Sequence, residues 1–128
     1  MPRFAAFFLA LLLAGAAHAQ PVPATLACGG SEPFWSLAIA AGKARLEAPE
    51  PALLKGGSDF VGKATPIANQ QPGTVVWRGR AAGATTGGMG DLVAVIERRA
   101  CPAPSGRDDP FRVLLSLPDG TALAGCCR

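Results

Sequence analysis

Tyrosine is absent from all 128 residues, and the one histidine, His18, sits inside an N-terminal apolar leader. Beyond that leader no side chain titrates near neutrality without help. Ser-His-Asp, Cys-His and histidine-metal chemistries are therefore excluded from residues 20–128. No C-x-x-C knuckle occurs, which argues against a four-thiolate zinc site. No apolar stretch after the leader approaches the roughly 20 residues that a spanning helix needs. Helical periodicity is never sustained beyond about two turns. A Gly-rich phosphate loop must open onto a helix, and Gly87-Gly88-Met89-Gly90 opens instead onto a Val- and Ile-rich strand pattern. No cofactor is called for.

Charge is also scarce. With Arg3 removed along with the leader, 11 basic residues face 9 acidic ones, a net of +2. That balance speaks against nucleic acid and against an anionic membrane surface as partners. Without tyrosine, and with few other aromatics, base-stacking platforms are not expected either.

What is present begins with the leader. Arg3 supplies a positive start, Phe4 to Ala16 form the apolar run, and Ala17-His18-Ala19 places small residues at the cleavage positions. Residues 1–19 are expected to be a signal peptide cleaved after Ala19, leaving Gln20 as N-terminus and no membrane span. The expected setting is the periplasm or the exterior. Residues 20–27 read as an extended lead-in and 28–128 as a single β domain of about 100 residues.

The four cysteines, Cys28, Cys101, Cys126 and Cys127, are even in number in an exported small domain, which points to two disulfides. Between them lie short alternating runs separated by Gly and Pro. Trp35, Leu37 and Ile39 fall on one face of a strand. Ala40-Ala41-Gly42 reverses the chain, and Ala44 and Leu46 continue the apolar face. Residues 48–73 are interrupted by Pro49, Pro51, Pro66 and Pro72, leaving a short strand over 59–62 with Phe60 inward. Further strands are expected over 74–80 and 91–99. The expected fold class is all-β: a small antiparallel barrel or sandwich of about six to eight short strands, stapled by two disulfides.

Phe111 to Leu117 and Ala122 to Cys127 flank Asp119-Gly120, a favoured two-residue hairpin turn. With that turn Pro118 faces Thr121. Phe111, Val113, Leu115 and Leu117 then share the core face with Ala122, Ala124 and Cys126, while Cys127 points outward. Adjacent strand cysteines point to opposite faces, and a vicinal bond would strain a small ring, so a 126–127 bond is disfavoured. Of the two remaining pairings, Cys101–Cys126 with Cys28–Cys127 is preferred over the exchange. Cys101 leaves a core strand, whereas Cys28 lies in the lead-in.

Glu32-Pro33-Phe34-Trp35-Ser36-Leu37, Cys101, Pro110-Phe111 and Gly125-Cys126-Cys127-Arg128 together resemble an uncharacterised family of small exported bacterial proteins. Its members are secreted or lipid-anchored, and some are associated with META-type (HslJ-like) domains. The resemblance implies an envelope setting and carries no catalytic residues. The chain departs from the family pattern after Cys101, where Pro102-Ala103-Pro104-Ser105-Gly106-Arg107-Asp108-Asp109 replaces a Met-Ser-bearing segment.

Candidate chemistry is thin. Glu32 reads as a turn-capping carboxylate, with a buried acid as the alternative. Asp108 and Asp109 fall short of the 6–8 oxygens of a calcium site. No spacing pairs Ser31, Ser105 or Ser116 with Lys43, Lys55 or Lys63 as nucleophile and base. Trp35 and Trp77 are core residues first. The expected role is a non-enzymatic envelope binding or accessory module whose partner is an envelope protein, cell-wall material or a small molecule. The alternative is an inhibitor of a cell-wall-degrading enzyme such as lysozyme, inserting a loop from 102–110 or 81–90. Ser105, Arg107, Asp108 and Asp109 are the candidate contact residues.

Overall fold

The structure, a computed structural model, describes residues 21–68, 73–83 and 90–128. The expected leader and residues 84–89 of the Gly-rich connection lie outside the described residues. Eight antiparallel strands form a closed barrel in which each strand pairs with its chain neighbours. They are β1 (Thr25–Gly30), β2 (Trp35–Ala40), β3 (Lys43–Glu47), β4 (Asp59–Pro66), β5 (Thr74–Ala81), β6 (Leu92–Pro102), β7 (Asp108–Ser116) and β8 (Ala122–Cys127). Among the described residues a single 3-10 turn, Pro51–Leu54, tucks Leu53 against the core.

Strict alternation explains the barrel. Every second residue of β2 and β3 is buried, because successive strand side chains point to opposite faces. Trp35, Leu37, Ile39, Leu46, Phe60, Trp77, Leu92, Ile96, Val113 and Leu115 thus fill one interior. An eight-stranded barrel is just wide enough for side chains to occupy its lumen. Trp77 lies close along the inner wall: a Cβ added to Gly79 would stand 2.4 Å from its ring, and its indole N–H donates to the Ala41 carbonyl at 3.0 Å.

Several boundaries differ from expectation. β1 starts at Thr25, so the last residues of the expected lead-in pair with β2, from Thr25 opposite Ala40 onward. β4 runs on to Pro66, past the expected end at Gly62, and β6 carries through Cys101 to Pro102.

The C-terminal hairpin is shifted by one residue. Ser116, not Leu117, faces Ala122, and Phe111 faces Cys127. Pro118 is the cause. A two-residue turn at Asp119-Gly120 would require Pro118 to donate an N–H to Thr121, and proline has none. Leu117 takes that place, donating to the Thr121 carbonyl at 2.8 Å. Pro118, Asp119 and Gly120 form the loop, with Gly120 at φ +88 and its N–H on the Leu117 carbonyl at 2.9 Å. This is the three-residue hairpin with a left-handed third residue.

A one-residue slip moves a whole strand's side chains to the other face. Leu123 and Cys127 point inward in place of Ala122, Ala124 and Cys126, and Cys127 is wholly buried. The expected orientation of the two cysteines is reversed.

The preferred disulfide pairing is the one observed: Cys28–Cys127 and Cys101–Cys126. Its reason is different. Cys28 and Cys127 are direct cross-strand neighbours where β1 meets β8 to close the barrel. Their flanking pair, Ala27 and Arg128, exchanges both backbone hydrogen bonds at 2.7 and 2.9 Å. Cys28 and Cys127 therefore occupy the close, non-hydrogen-bonded site, with Cα atoms 4.0 Å apart. Cys101–Cys126 lies on the outer surface, outside the core cluster.

Candidate functional site

The outer disulfide shapes a cleft. The register of β6 against β7 shifts between Arg98 and Cys101, and the two strands continue past this bulge as an arm. Cys101 bonds to Cys126 with Cα atoms 5.6 Å apart, tying the arm to the outer face of β8. The arm's tip is locally ordered: the Ala103 N–H donates to the Arg107 carbonyl at 3.1 Å, and the Gly106 N–H to the Ala103 carbonyl at 3.0 Å. At its base the Arg98 guanidinium stacks 4.7 Å from the Phe111 ring centroid. Two bonded sulfurs sit 3.4 and 3.5 Å from the Gly125 and Pro102 carbonyl oxygens. With no S–H to donate, these are packing contacts.

Facing the arm is the β1–β2 turn. Glu32 adopts φ +62, and a cis peptide bond joins it to Pro33. Trp35 turns into the barrel while Phe34 turns out, 66% exposed. The indole of Trp35 requires two glycines. A Cβ on Gly30 would lie 2.5 Å from Trp35 Nε1, and one on Gly125 would lie 2.7 Å from Trp35 Cζ2 and 2.2 Å from the Gly29 carbonyl oxygen. The Glu-Pro-Phe-Trp and Gly-Cys elements, about 90 residues apart in sequence, are thus packing partners.

Between arm and turn lies a cleft of about 330 Å³, lined among others by Gly29, Ser36, Phe34, Ser105, Asp109 and Arg128. It joins an exposed aromatic edge, serine hydroxyls, a carboxylate and a guanidinium, with backbone accessible at Gly29. Such a surface suits contact with a polypeptide.

The predicted site residues separate here. Phe34, Trp35, Ser105, Asp109 and Cys126 line the cleft. Arg107 and Asp108 are exposed and do not line it. Pro110 is exposed and Phe111 is a core residue. Glu32 is exposed and its carboxylate makes no hydrogen bond among the described residues, so neither the buried acid nor the turn cap is realised. No three His, Cys, Asp or Glu side chains converge on a metal position among the described residues. Ser36 and Arg128 belong to two of the resembled elements, yet sequence reasoning did not single them out as contact residues. Ser36 also carried a periodic signal, because it alternates outward beside inward Trp35 and Leu37.

A second cavity of about 260 Å³ opens at the barrel mouth, against Val22, Leu26, Ile39, Val75, Trp77 and Ile96. No ionisable group is buried there. No family model, curated protein or solved structure matches this chain.

Proposed function

We propose that this protein is an exported, non-enzymatic binding or accessory module of the bacterial envelope, acting in the periplasm through the cleft between the β6–β7 arm and the β1–β2 turn. The observation that carries the reading is Phe34. A large aromatic side chain is held in water beside the cleft, on a turn in which Glu32, two residues before it, has a positive φ that L side chains rarely adopt. Exposed aromatics flanked by polar rims are enriched at protein contacts. Two disulfides suit an oxidising compartment. The Glu-Pro-Phe-Trp and Gly-Cys resemblance adds an envelope setting.

The test is saturable binding of labelled mature protein to solubilised envelope from the producing bacterium. Unlabelled wild type displaces the label, and Phe34→Ser does not. Displacement by Phe34→Ser at wild-type concentrations would remove the cleft from the interaction.

A second reading, inhibition of a wall-degrading enzyme, has the arm itself in its favour. A hydrogen-bonded tip on a disulfide-tied base is preorganised for insertion into an active site, which lowers the ordering cost of binding. Absence of lysozyme inhibition at micromolar protein rules it out.

A further inference from the structure

The modest net charge conceals a strong segregation. The outward residues of β3, β4 and β5 alternate with buried Ala44, Phe60 and Trp77. In register, Lys43 faces Val61, Val61 faces Arg80, and Lys63 faces Arg78. Four cations thus surround one exposed valine on the outer wall, with Arg78 64% and Arg80 74% exposed. A single carboxylate, Asp91, is shared between the two arginines at 3.9 and 3.4 Å. Lys43 and Lys63 make no ion pair among the described residues. The neighbouring Arg45 pairs with both Glu47 and Asp59, a trio of net charge −1 that marks the edge of the patch.

Like charges directly opposite one another across a strand pair are destabilising. Lys63 against Arg78 is such a pair, on the same wall as an exposed valine that contributes nothing to the core. Neither feature is explained by folding.

We infer that this wall docks on an anionic membrane surface, its cations meeting phospholipid headgroup phosphates and Val61 reaching the interface. Charge complementarity identifies the partner, and the apolar centre favours a lipid surface over a soluble polyanion, which offers Val61 nothing to enter. The wall is separate from the cleft and would hold the barrel against a bilayer while the cleft engages its partner. Of the export reading, this inference needs only the envelope setting.

Four cations, less Asp91 and the surplus carboxylate beside Arg45, leave a net of two positive charges; at about five-fold enrichment each they give a surface enrichment of about twenty-five-fold at modest ionic strength. The test is co-sedimentation of the disulfide-bonded mature chain with vesicles of equimolar phosphatidylglycerol and phosphatidylcholine, against pure phosphatidylcholine. Binding is expected to the anionic vesicles alone and to weaken with added salt. Lys63→Gln lowers it about five-fold, and Lys63→Gln with Arg80→Gln about twenty-five-fold. Lys55→Gln, the same charge change away from this wall, leaves it within two-fold of wild type. Lys63→Gln unfolds at or above the wild-type midpoint, because it relieves the opposition to Arg78, so its loss of binding is not a loss of fold.

Equal binding to both vesicles overturns the inference, as does a Lys55→Gln loss equal to that of Lys63→Gln. Displacement from vesicles by soluble polyphosphate at equal phosphate concentration also overturns it, in favour of a soluble polyanion. The cleft reading is untouched by any of these, since its readout is competition by Phe34→Ser.

Discussion

Removing one disulfide at a time separates the two staples and tests why the barrel stays closed. The Cys28–Cys127 bond spans 99 positions and Cys101–Cys126 spans 25. In the chain-entropy model these closures are worth about 4.7 and about 3.5 kcal/mol. The loops are nested, so an intact outer bond already shortens the larger loop to about 75 residues, and the inner closure falls to about 4.5 kcal/mol. The inner pair therefore contributes about 1 kcal/mol more by entropy alone. Packing adds to the difference in the same direction. Cys127 is fully buried in the core cluster and Cys28 nearly so, while Cys101 and Cys126 lie outside that cluster. Replacing the inner pair by alanine leaves a void inside the barrel as well as a longer free chain.

Against a total stability of about 5–15 kcal/mol, either loss is large. The assay is equilibrium urea unfolding of Cys28→Ala/Cys127→Ala and of Cys101→Ala/Cys126→Ala, each with its other disulfide intact. The inner variant should lie lower in midpoint by roughly 0.3–1 M urea. An outer variant as unstable as the inner one, or less stable, would refute both the nested-loop arithmetic and the placement of Cys127 inside.

Gly125→Ala places a Cβ against the Gly29 carbonyl and the Trp35 ring and should cost about 1–3 kcal/mol or more, read by thermal unfolding; a neutral result contradicts the packing of Trp35 on Gly125. Ala41 occupies the two-residue β2–β3 turn at φ +51. Ala41→Gly removes a left-handed penalty of about 1–2 kcal/mol at an entropic cost of about 0.5–1, and should raise the unfolding midpoint slightly; a lower midpoint would count against this turn geometry. Asp119 accepts the Thr121 N–H at 2.9 Å, and this bond holds its carboxyl below the usual range. A depressed folded-state value means a contribution present above the ordinary carboxylate range, near about 3.9, and lost as pH falls through the folded value. The stability advantage of wild type over Asp119→Ala at neutral pH should therefore narrow in acid, as measured by urea midpoints at neutral and acidic pH. A gap that widens in acid contradicts the assignment.

The N-terminal hairpin was legible because its alternation is unbroken from Trp35 to Leu46 and its reversal is short. β4 was not. Gly62 and Ala64 carry no apolar signal on the inward positions, so the strand reads as ended where small residues line the wall. The C-terminal register failed on one missing hydrogen-bond donor: Asp-Gly suggests a two-residue turn, and only Pro118's lack of an N–H moves it. The exclusion of a 126–127 bond survived that failure because it rests on Cys126 and Cys127 facing opposite ways, which holds in either register; the choice between the other two pairings is decided by β1 meeting β8 at Cys28 and Cys127, which no local pattern shows. The arm from 102 to 110 stood out by composition, yet its meeting with Phe34 depends on the bulge between Arg98 and Cys101, which no local pattern announces. The basic wall was invisible for a similar reason. Lys43, Lys63, Arg78 and Arg80 become neighbours only when β3, β4 and β5 pair, so a net charge of +2 concealed them.

The claim that the cleft is the contact surface is tested most directly by a cross-linking footprint in the producing cell. A photo-reactive side chain is placed singly at Phe34, Ser36, Ser105 and Asp109 in the cleft, and at Val95 and Leu114 on the wall outside it. The cleft positions should give one shared protein adduct, lost when Phe34→Ser is combined with the probe at Ser36, Ser105 or Asp109, while Val95 and Leu114 give none. Adducts from Val95 and Leu114 that match or exceed those from the cleft would contradict the account.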